Sequence, residues 1–156
     1  MKIIIEQTKD VSILAKLNKT VQDLHVREYP QYFKPYQYDL VEKEFEETLA
    51  KENWYAFVAF DDRIAVGYIL FYIRKYQENP FRYSYTGIHI DQISVLESYQ
   101  RKGIGSKLMT KAEEIGKSVG STQMELTFWD KNAEAKAFYN KKGFRDYIHF
   151  IAKKTN

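Results

Sequence analysis

The chain is organised around the stretch Gln100-Arg101-Lys102-Gly103-Ile104-Gly105-Ser106-Lys107-Leu108. It follows an apolar run typical of a strand, residues 89–96, and it opens a helical pattern. Apolar residues recur there at three- and four-residue spacing, as one buried helix face requires: Ile104, Leu108, Ala112, Ile115 and Val119. The first N–H groups of a helix have no intrahelical acceptor, and the helix dipole is positive there. Together with the nearby basic side chains, this start predicts a phosphate or pyrophosphate site.

Two glycines in a turn do not by themselves identify an anion site, because many ordinary tight turns need them. A dinucleotide-binding loop would carry a third glycine where Leu108 stands, and it would follow its strand directly. A P-loop is excluded because no Gly-Lys-Ser/Thr occurs at the required spacing. The stretch therefore predicts an anion site of another type.

Composition narrows the class of protein. The 156 residues suit one domain, 1–156, and 44% hydrophobic content predicts a packed core. There is no cysteine, and the three histidines lack metal-ligand spacing, so we expect no metal site. No run has the length of a membrane span, and the start lacks a signal-peptide core, so we expect a cytoplasmic protein without membrane contact. A net charge of +3 suits an anionic cofactor but does not argue for nucleic acid.

The periodicity predicts alternating elements along the chain. Strands are predicted at residues 2–6, 54–60, 64–74, 88–95, 124–129 and 145–152, and helices at 10–25, 39–51, 104–118 and 132–142. Asp39 with Glu42 predicts a capping-box start for the second helix, and Asn132 or Asp130 caps the last one. The strands are antiparallel at first, and one parallel pair follows because a helix crosses between its members. The predicted fold class is a mixed α/β sheet.

Two motifs carry a resemblance to a known family. Val95 followed by Gln100 to Gly105 resembles the Gln/Arg-x-x-Gly-x-Gly/Ala signature of the GNAT (Gcn5-related) N-acetyltransferases. Residues 132–144 resemble that family's Asn-x-x-Ala-x-x-x-Tyr-x-x-x-Gly-Phe block. The resemblance implies a GNAT-like α+β fold, mostly antiparallel, with a central parallel pair splayed around the cofactor. It also implies transfer of an acetyl group from acetyl-CoA to an amine.

The resemblance assigns the cofactor site. The loop and helix start would hold the pyrophosphate on backbone N–H groups, while the preceding strand offers backbone groups to the pantetheine arm. The residues implied are Ile93, Ser94, Val95, Gln100, Arg101, Lys102, Gly103, Ile104, Gly105, Ser106, Asn132, Phe138 and Tyr139.

Catalytic roles follow from the same resemblance. The N–H of Val95 would polarise the thioester carbonyl, and Asp91 would remove a proton from the amine. His89, Glu97 or water remain alternatives for the base. Tyr139 stands two helical turns after Asn132 and so shares its face, and its phenol could hydrogen-bond or protonate the departing thiolate.

The acceptor is an amine of a small molecule or a peptide that the sequence does not identify. An aromatic loop at residues 27–36 could cover the core or form a wall of the acceptor pocket through Tyr29, Tyr32, Phe33 and Tyr36. A homodimer is possible for such a fold. Two other functions stay open, namely a module that binds acetyl-CoA without turnover and a nucleotide or nucleic-acid binder that uses the same anion site.

Overall fold

A computed structural model describes all residues 1–156 and separates them into two compact units, Met1–Leu126 and Thr127–Asn156. The expectation of a single domain stays a prediction. None of the helices combines the length and the apolar content that crossing a lipid bilayer requires.

The first unit holds a five-stranded sheet and three α-helices. Its elements are β1 (Ile3–Gln7), α1 (Val11–Glu28), α2 (Tyr38–Leu49), β2 (Trp54–Asp61), β3 (Ile64–Tyr76), β4 (Tyr85–Val95), a 3-10 turn (Glu97–Tyr99), α3 (Ile104–Ser118) and β5 (Gln123–Leu126). The strand order is β1-β2-β3-β4-β5. The first four strands are antiparallel and β5 is parallel to β4, which confirms the mixed α/β sheet.

The core lies on both faces of this sheet. On one face α1 and α2 pack against alternate residues of β2 and β3, burying Leu14, Ala15, Leu17, Phe45, Leu49, Ala56, Val58, Tyr68 and Leu70. On the other face α3 approaches β4 so closely that a Cβ on Gly116 would lie 2.8 Å from the Ile88 side chain. Because helices cover both faces, β3 is buried along Val66–Phe71 rather than alternating between core and solvent.

The two N-terminal helices begin differently. The Asp10 carboxylate caps α1 by accepting hydrogen bonds from the Ser12 and Ile13 N–H groups at 3.0 and 3.2 Å. The predicted capping box of α2 is wrong, because the helix begins one residue earlier, after Gln37, and no side chain caps it. Glu42 instead accepts a hydrogen bond from the hydroxyl of Tyr38, one turn before it.

Strand β4 changes its pairing halfway along. Its ladder with β3 shifts register because Leu70 pairs with Gln92 and Phe71 with Ile90, which leaves Asp91 as the extra residue of a β-bulge. On the other side, β5 pairs with β4 only from Gly87 to Ile90. From Asp91 onward β4 therefore has a strand neighbour on one side only.

The second unit contains one α-helix, α4 (Ala133–Lys141). The Asn132 side chain caps it by accepting from the Ala135 N–H at 3.1 Å, as predicted. Gly143 ends it with φ +91°, a left-handed conformation that favours glycine.

The last predicted strand, residues 145–152, is wrong, because residues 144–156 form no strand or helix. The preceding strand is also shorter than predicted, since β5 ends at Leu126 instead of residue 129. A β-strand forms only where its backbone pairs with a neighbouring strand, whereas an apolar run in the sequence shows only which side chains could be buried. The parallel pair therefore lies at the edge of the sheet.

Candidate active site

The glycine-containing loop forms an uncapped helix start. Arg101 and Gly103 both have positive φ, +61° and +80°, and such left-handed residues curl a loop so that its N–H groups face a common concavity. The first helical hydrogen bond of α3 runs from the Lys107 N–H to the Gly103 carbonyl at 3.1 Å. No side chain caps the helix. The N–H groups at positions 104–106 are thus available to an anion.

Two polar side chains of this loop are used to hold its shape. The Gln100 side chain donates a hydrogen bond to the Val95 carbonyl at 2.9 Å. The Lys102 ammonium donates to the Ser98 carbonyl at 2.8 Å and lies over the Tyr99 ring. These contacts join the end of β4 to the start of α3, so the residues of the loop offer a ligand mainly their backbone.

The open edge of β4 presents a free backbone donor. The Ser94 carbonyl points toward β3, since a Cβ on Gly67 would lie 2.8 Å from it, and the Leu96 N–H donates to Val66 of β3 at 2.9 Å. Groups alternate along a strand, so the N–H and carbonyl of Val95 point the other way. The carbonyl is occupied by Gln100, but the N–H has no acceptor, and Ile93 faces the same side.

Asp91 lies on the same face of the sheet as α2. Solvent reaches its side chain, yet enough protein surrounds the carboxyl that desolvation raises its pKa. Three groups oppose this rise of the pKa, namely the Gln92 side chain, His89 and Lys51. Glu44 of α2 adds to it. A carboxylate with a raised pKa is a better proton acceptor than an ordinary aspartate at neutral pH.

A buried polar triangle supports the bulge, and sequence reasoning missed it. The Asn18 amide donates to the Tyr68 hydroxyl and to the Gln92 carbonyl oxygen, both at 3.1 Å, and Tyr68 donates to Gln92 at 2.6 Å. Burial raises the pKa of Tyr68, which therefore stays a neutral donor. One signal was present in the sequence, because Asn18 lies one turn after Leu14 on the apolar face of α1.

A row of side chains crosses three strand pairs beside Asp91, and it too was missed. Trp54 pairs with Tyr72, Tyr72 with His89, and His89 with Glu125. The Trp54 and Tyr72 rings stack at 4.5 Å, the Tyr72 and His89 rings lie 5.0 Å apart, and His89 Nδ1 lies 3.4 Å from Glu125 Oε1. We call these four residues the cross-strand row. Trp54 and Tyr72 stand two residues from Ala56 and Leu70 of the core under α1 and α2, so the row lies on that face of the sheet, the face of Asp91.

Glu125 is the anionic end of the cross-strand row. It also accepts hydrogen bonds from the hydroxyls of Tyr76 and Tyr85 and from the Gln123 amide. Partial burial would raise the pKa of Glu125, but hydrogen bonds from Tyr76, Gln123 and His89 together outweigh it and lower the pKa. The carboxylate is therefore ionised at neutral pH. No group of three or more His, Asp or Glu side chains is arranged to hold a metal ion.

The aromatic loop before α2 has structural contacts of its own. The Tyr36 hydroxyl donates to the Ala15 carbonyl of α1 at 2.6 Å, and the Phe33 ring stacks on His25 at 4.6 Å. Tyr32 is 63% exposed. These contacts fasten the loop to α1 and leave Tyr32 as its exposed ring.

In the second unit, Tyr139 is enclosed by aromatic rings. Phe128, Phe138 and Phe144 lie 5.6, 5.4 and 5.6 Å from its ring centre. Desolvation raises the pKa of Tyr139 to about 12, so the phenol is protonated at neutral pH. The residue is only 8% exposed.

Comparison with known proteins identifies the family. The profile of the acetyltransferase (GNAT) family matches residues 18–144, and the chain belongs to that family. A thialysine N-epsilon-acetyltransferase of Sus scrofa is 37% identical over 84 residues, which are 52% of this chain and 45% of that protein. The matched segments span between 24% and 54% of the lengths of the curated relatives.

Solved structures share the fold. A mutant of the BH1408 protein from Bacillus halodurans superposes with a TM-score of 0.91 at 24% identity, covering 98% of this chain and 99% of that one. The structure of AAC(6')-Iy in complex with a bisubstrate analog, CoA-S-monomethyl-acetylneamine, superposes with a TM-score of 0.71 at 18% identity, covering 100% and 99%. These likenesses confirm the GNAT-like fold that the two sequence motifs predicted.

The hydrogen bonds to Glu125 predict an acid-sensitive contribution to stability. Because its pKa is lower in the folded chain, the folded state binds fewer protons than the unfolded state. The stabilisation is fully present above the ordinary pKa of 4.5 and is lost as the pH falls through the lower folded value. Glu125→Gln should lower the free energy of unfolding by about 1 kcal/mol at pH 7.

Urea unfolding of both proteins at pH 7 and at about pH 3 measures this effect. The difference between them should shrink at the lower pH, because below the ordinary pKa of 4.5 the unfolded parent chain binds a proton at Glu125 more readily than the folded chain does. Glu113→Gln, an exposed glutamate of α3, is the matched control and should leave stability unchanged at both pH values. A difference that stays the same size at the two pH values contradicts the prediction.

Proposed function

We propose that this protein is an acetyl-CoA-dependent N-acetyltransferase that acetylates a primary amine of a small molecule or a peptide. One observation carries the proposal. A stretch of β4 that has a strand neighbour on one side only, with the free Val95 N–H, leads within a few residues into the uncapped start of α3. A thioester with a long amide-containing arm and a pyrophosphate needs those two features, in that order. The absence of cysteine fits work in the reducing cytoplasm.

The cofactor would bind along this path. The pyrophosphate would accept hydrogen bonds from the N–H groups at positions 104–106, with Arg101 to Gly103 shaping the loop and Arg101 adding positive charge. The pantetheine arm would add to the free edge of β4 at Ile93, Ser94 and Val95, as a peptide adds to an open sheet edge. Asn132, Phe138 and Tyr139 are assigned to the cofactor on the family motif alone.

The reaction joins the amine to the acetyl carbon and releases the thiolate. The neutral amine attacks the thioester carbonyl, whose oxygen gains negative charge and accepts a hydrogen bond from the Val95 N–H. The C–N bond forms, the C–S bond breaks with its electron pair left on sulfur, and the amine proton passes to Asp91 directly or through water. An ordinary thiol has a pKa of about 8.5, well below that of Tyr139. The phenol would therefore stabilise the thiolate by a hydrogen bond rather than by complete proton transfer.

The acceptor we propose is an amine that arrives as a cation. The cross-strand row offers an ionised carboxylate at Glu125, and a cationic amine binds well to such a group. Tyr29, Tyr32, Phe33 and Tyr36 would form another wall. The names of two relatives refer to amine acceptors, a lysine analogue and aminoglycosides, which supports this class.

A binding assay combined with a thiol-release assay tests the proposal. The protein should bind acetyl-CoA in calorimetry and release free thiol when polyamines, aminoglycosides or lysine peptides are added. Binding without any thiol release above buffer would instead make it an acyl-CoA sensor. Stabilisation by ATP or DNA but not by acetyl-CoA would reject the cofactor assignment.

The loop predicts that a bulky residue at the helix start blocks the cofactor. Gly105 lies in the first turn of α3, where a valine side chain would stand beside the N–H groups that meet the pyrophosphate. Gly105→Val should remain folded and lose acetyl-CoA affinity by calorimetry. Thr110→Val, an exposed site later in α3, controls for a β-branched residue in this helix and should bind normally. Unchanged affinity in Gly105→Val would move the site elsewhere.

The raised pKa of Asp91 predicts a pH-dependent loss on substitution. Asp91→Asn should lower kcat/KM at neutral pH and recover partly at high pH, where free amine is more abundant. In the parent, kcat/KM should also fall at acidic pH as the pH drops through the raised pKa of Asp91. Asp62→Asn in the exposed β2–β3 turn is the control. A pH–rate profile identical to the parent would leave His89, Glu97 or water as the base.

If the Tyr139 hydroxyl takes part in the reaction, removing it should slow turnover without destabilising the protein. Tyr139→Phe keeps the ring and its aromatic neighbours, so stability and acetyl-CoA affinity should change little. A donor that acts as the thiolate leaves should cost about 10²-fold in kcat. Tyr83→Phe, 88% exposed, is the matched control. Turnover within a few-fold of the parent, with chemistry rate-limiting, would show that the motif reports only the fold.

A further inference from the structure

The buried polar triangle of Asn18, Tyr68 and Gln92 stands where a protein core usually holds apolar side chains. Asn18 is 6% exposed, and Tyr68 is fully buried within the core under α1 and α2. A buried polar group costs free energy unless it is hydrogen-bonded, and apolar side chains of the same shape can replace a bonded pair at little cost. The need for a stable core therefore does not explain why three polar side chains meet at this place.

The hydrogen bonds of the triangle fix the orientation of the Gln92 amide. The Asn18 amide and the Tyr68 hydroxyl both donate to Gln92 Oε1, at 3.1 and 2.6 Å. Tyr68 is held in turn, because Asn18 also donates to its hydroxyl oxygen at 3.1 Å. Turning the Gln92 amide over would set its amino group against the amino group of Asn18, donor against donor. The Nε2 amino group of Gln92 is therefore directed away from the triangle.

The Asp91 carboxyl lies beside that amide, because Asp91 is the extra residue of the β-bulge that precedes Gln92. A hydrogen bond from the Gln92 side chain lowers the pKa of Asp91, and this is the largest of the effects that oppose desolvation. Other ionisable groups act on the same carboxyl or feel its charge, namely His89, Lys51, Glu44 and Tyr68. Among the groups that lower the pKa of Asp91, the Gln92 amide alone is anchored in the buried triangle.

We propose that Gln92 is a positioning residue for the reaction, and that the triangle holds its amide so that the amino group stabilises the Asp91 carboxylate. The inference rests on the proposed function, in which Asp91 takes the proton of the amine. A proton acceptor must be ionised before it can act. A lysine or an arginine at position 92 would also stabilise the carboxylate, but its charge would repel an acceptor that arrives as a cation. The neutral amide donates a hydrogen bond without that repulsion.

The titration of the Asp91 carboxyl tests the inference without any substrate. Carbon-13 NMR can follow this carboxyl, once Asp91→Asn has assigned its signal. Gln92→Met and Tyr68→Phe should both raise the pKa of Asp91, because the first removes the amide and the second removes a hydrogen bond that orients it. Tyr99→Phe, which loses a hydroxyl hydrogen bond to Asp61, is the matched control and should leave the pKa of Asp91 unchanged.

Two results of this titration would overturn the inference. An unchanged pKa of Asp91 in Gln92→Met would show that the amide does not stabilise the carboxylate. A pKa that rises in Gln92→Met but stays the same in Tyr68→Phe would reject the role of the triangle. Circular dichroism checks that each variant is folded, and the conservative Tyr68→Phe keeps the ring in the core.

The pH dependence of kcat/KM separates positioning from a merely structural role. In Gln92→Met the acidic limb should move to higher pH, while kcat/KM at high pH should stay within a few-fold of the parent. Below the acidic limb of both proteins, kcat/KM should fall about tenfold, the scale of a hydrogen bond to a charged group. A fall by the same factor at every pH would show a structural role and reject the inference. If the pKa of Asp91 rises as expected but Asp91→Asn keeps full activity, the base role in the proposed function fails, while the effect of the amide on the carboxylate stands.

Discussion

The loss of a neighbouring strand halfway along β4 is the constraint on which the site depends. Up to Ile90 the strand pairs on both sides, whereas after the bulge at Asp91 only β3 remains beside it. Backbone groups that a second neighbouring strand would bind, above all the Val95 N–H, are left free. Gln100 occupies the Val95 carbonyl and ties this edge to the start of α3. The open edge and the uncapped helix thus form one continuous backbone surface.

Buried polar contacts keep that geometry from closing or shifting. The triangle of Asn18, Tyr68 and Gln92 joins α1, β3 and β4 next to the bulge. Each of the three side chains bonds to the other two, so losing one removes two hydrogen bonds from a largely buried place, which is costly. On the same face, desolvation raises the pKa of Asp91, while hydrogen bonds lower that of Glu125. Two carboxylates on one surface are thereby suited to different tasks, proton acceptance and attraction of a cation.

The two motifs predicted much of this from local chemistry. Glycine and helix periodicity act over a few residues, so the helix after Gly103, the Asn132 cap and the turn at Gly143 were all readable. The alternation of strands and the crossover helix also predicted the mixed sheet. The predicted capping box of α2 failed because the helix begins at Tyr38, so Asp39 lies inside the helix and not at its N-cap.

The sequence alone therefore determined the family, the mixed sheet and the start of α3 after Gly103, because the motifs and periodicities behind them lie within short stretches of the chain. Only the tertiary structure decided which distant residues meet. The cross-strand row joins positions from 54 to 125, and its order depends on the register of three strand pairs. Likewise, residues 145–152 have the composition of a strand, but a strand forms only where an edge accepts its hydrogen bonds, and these residues form no strand.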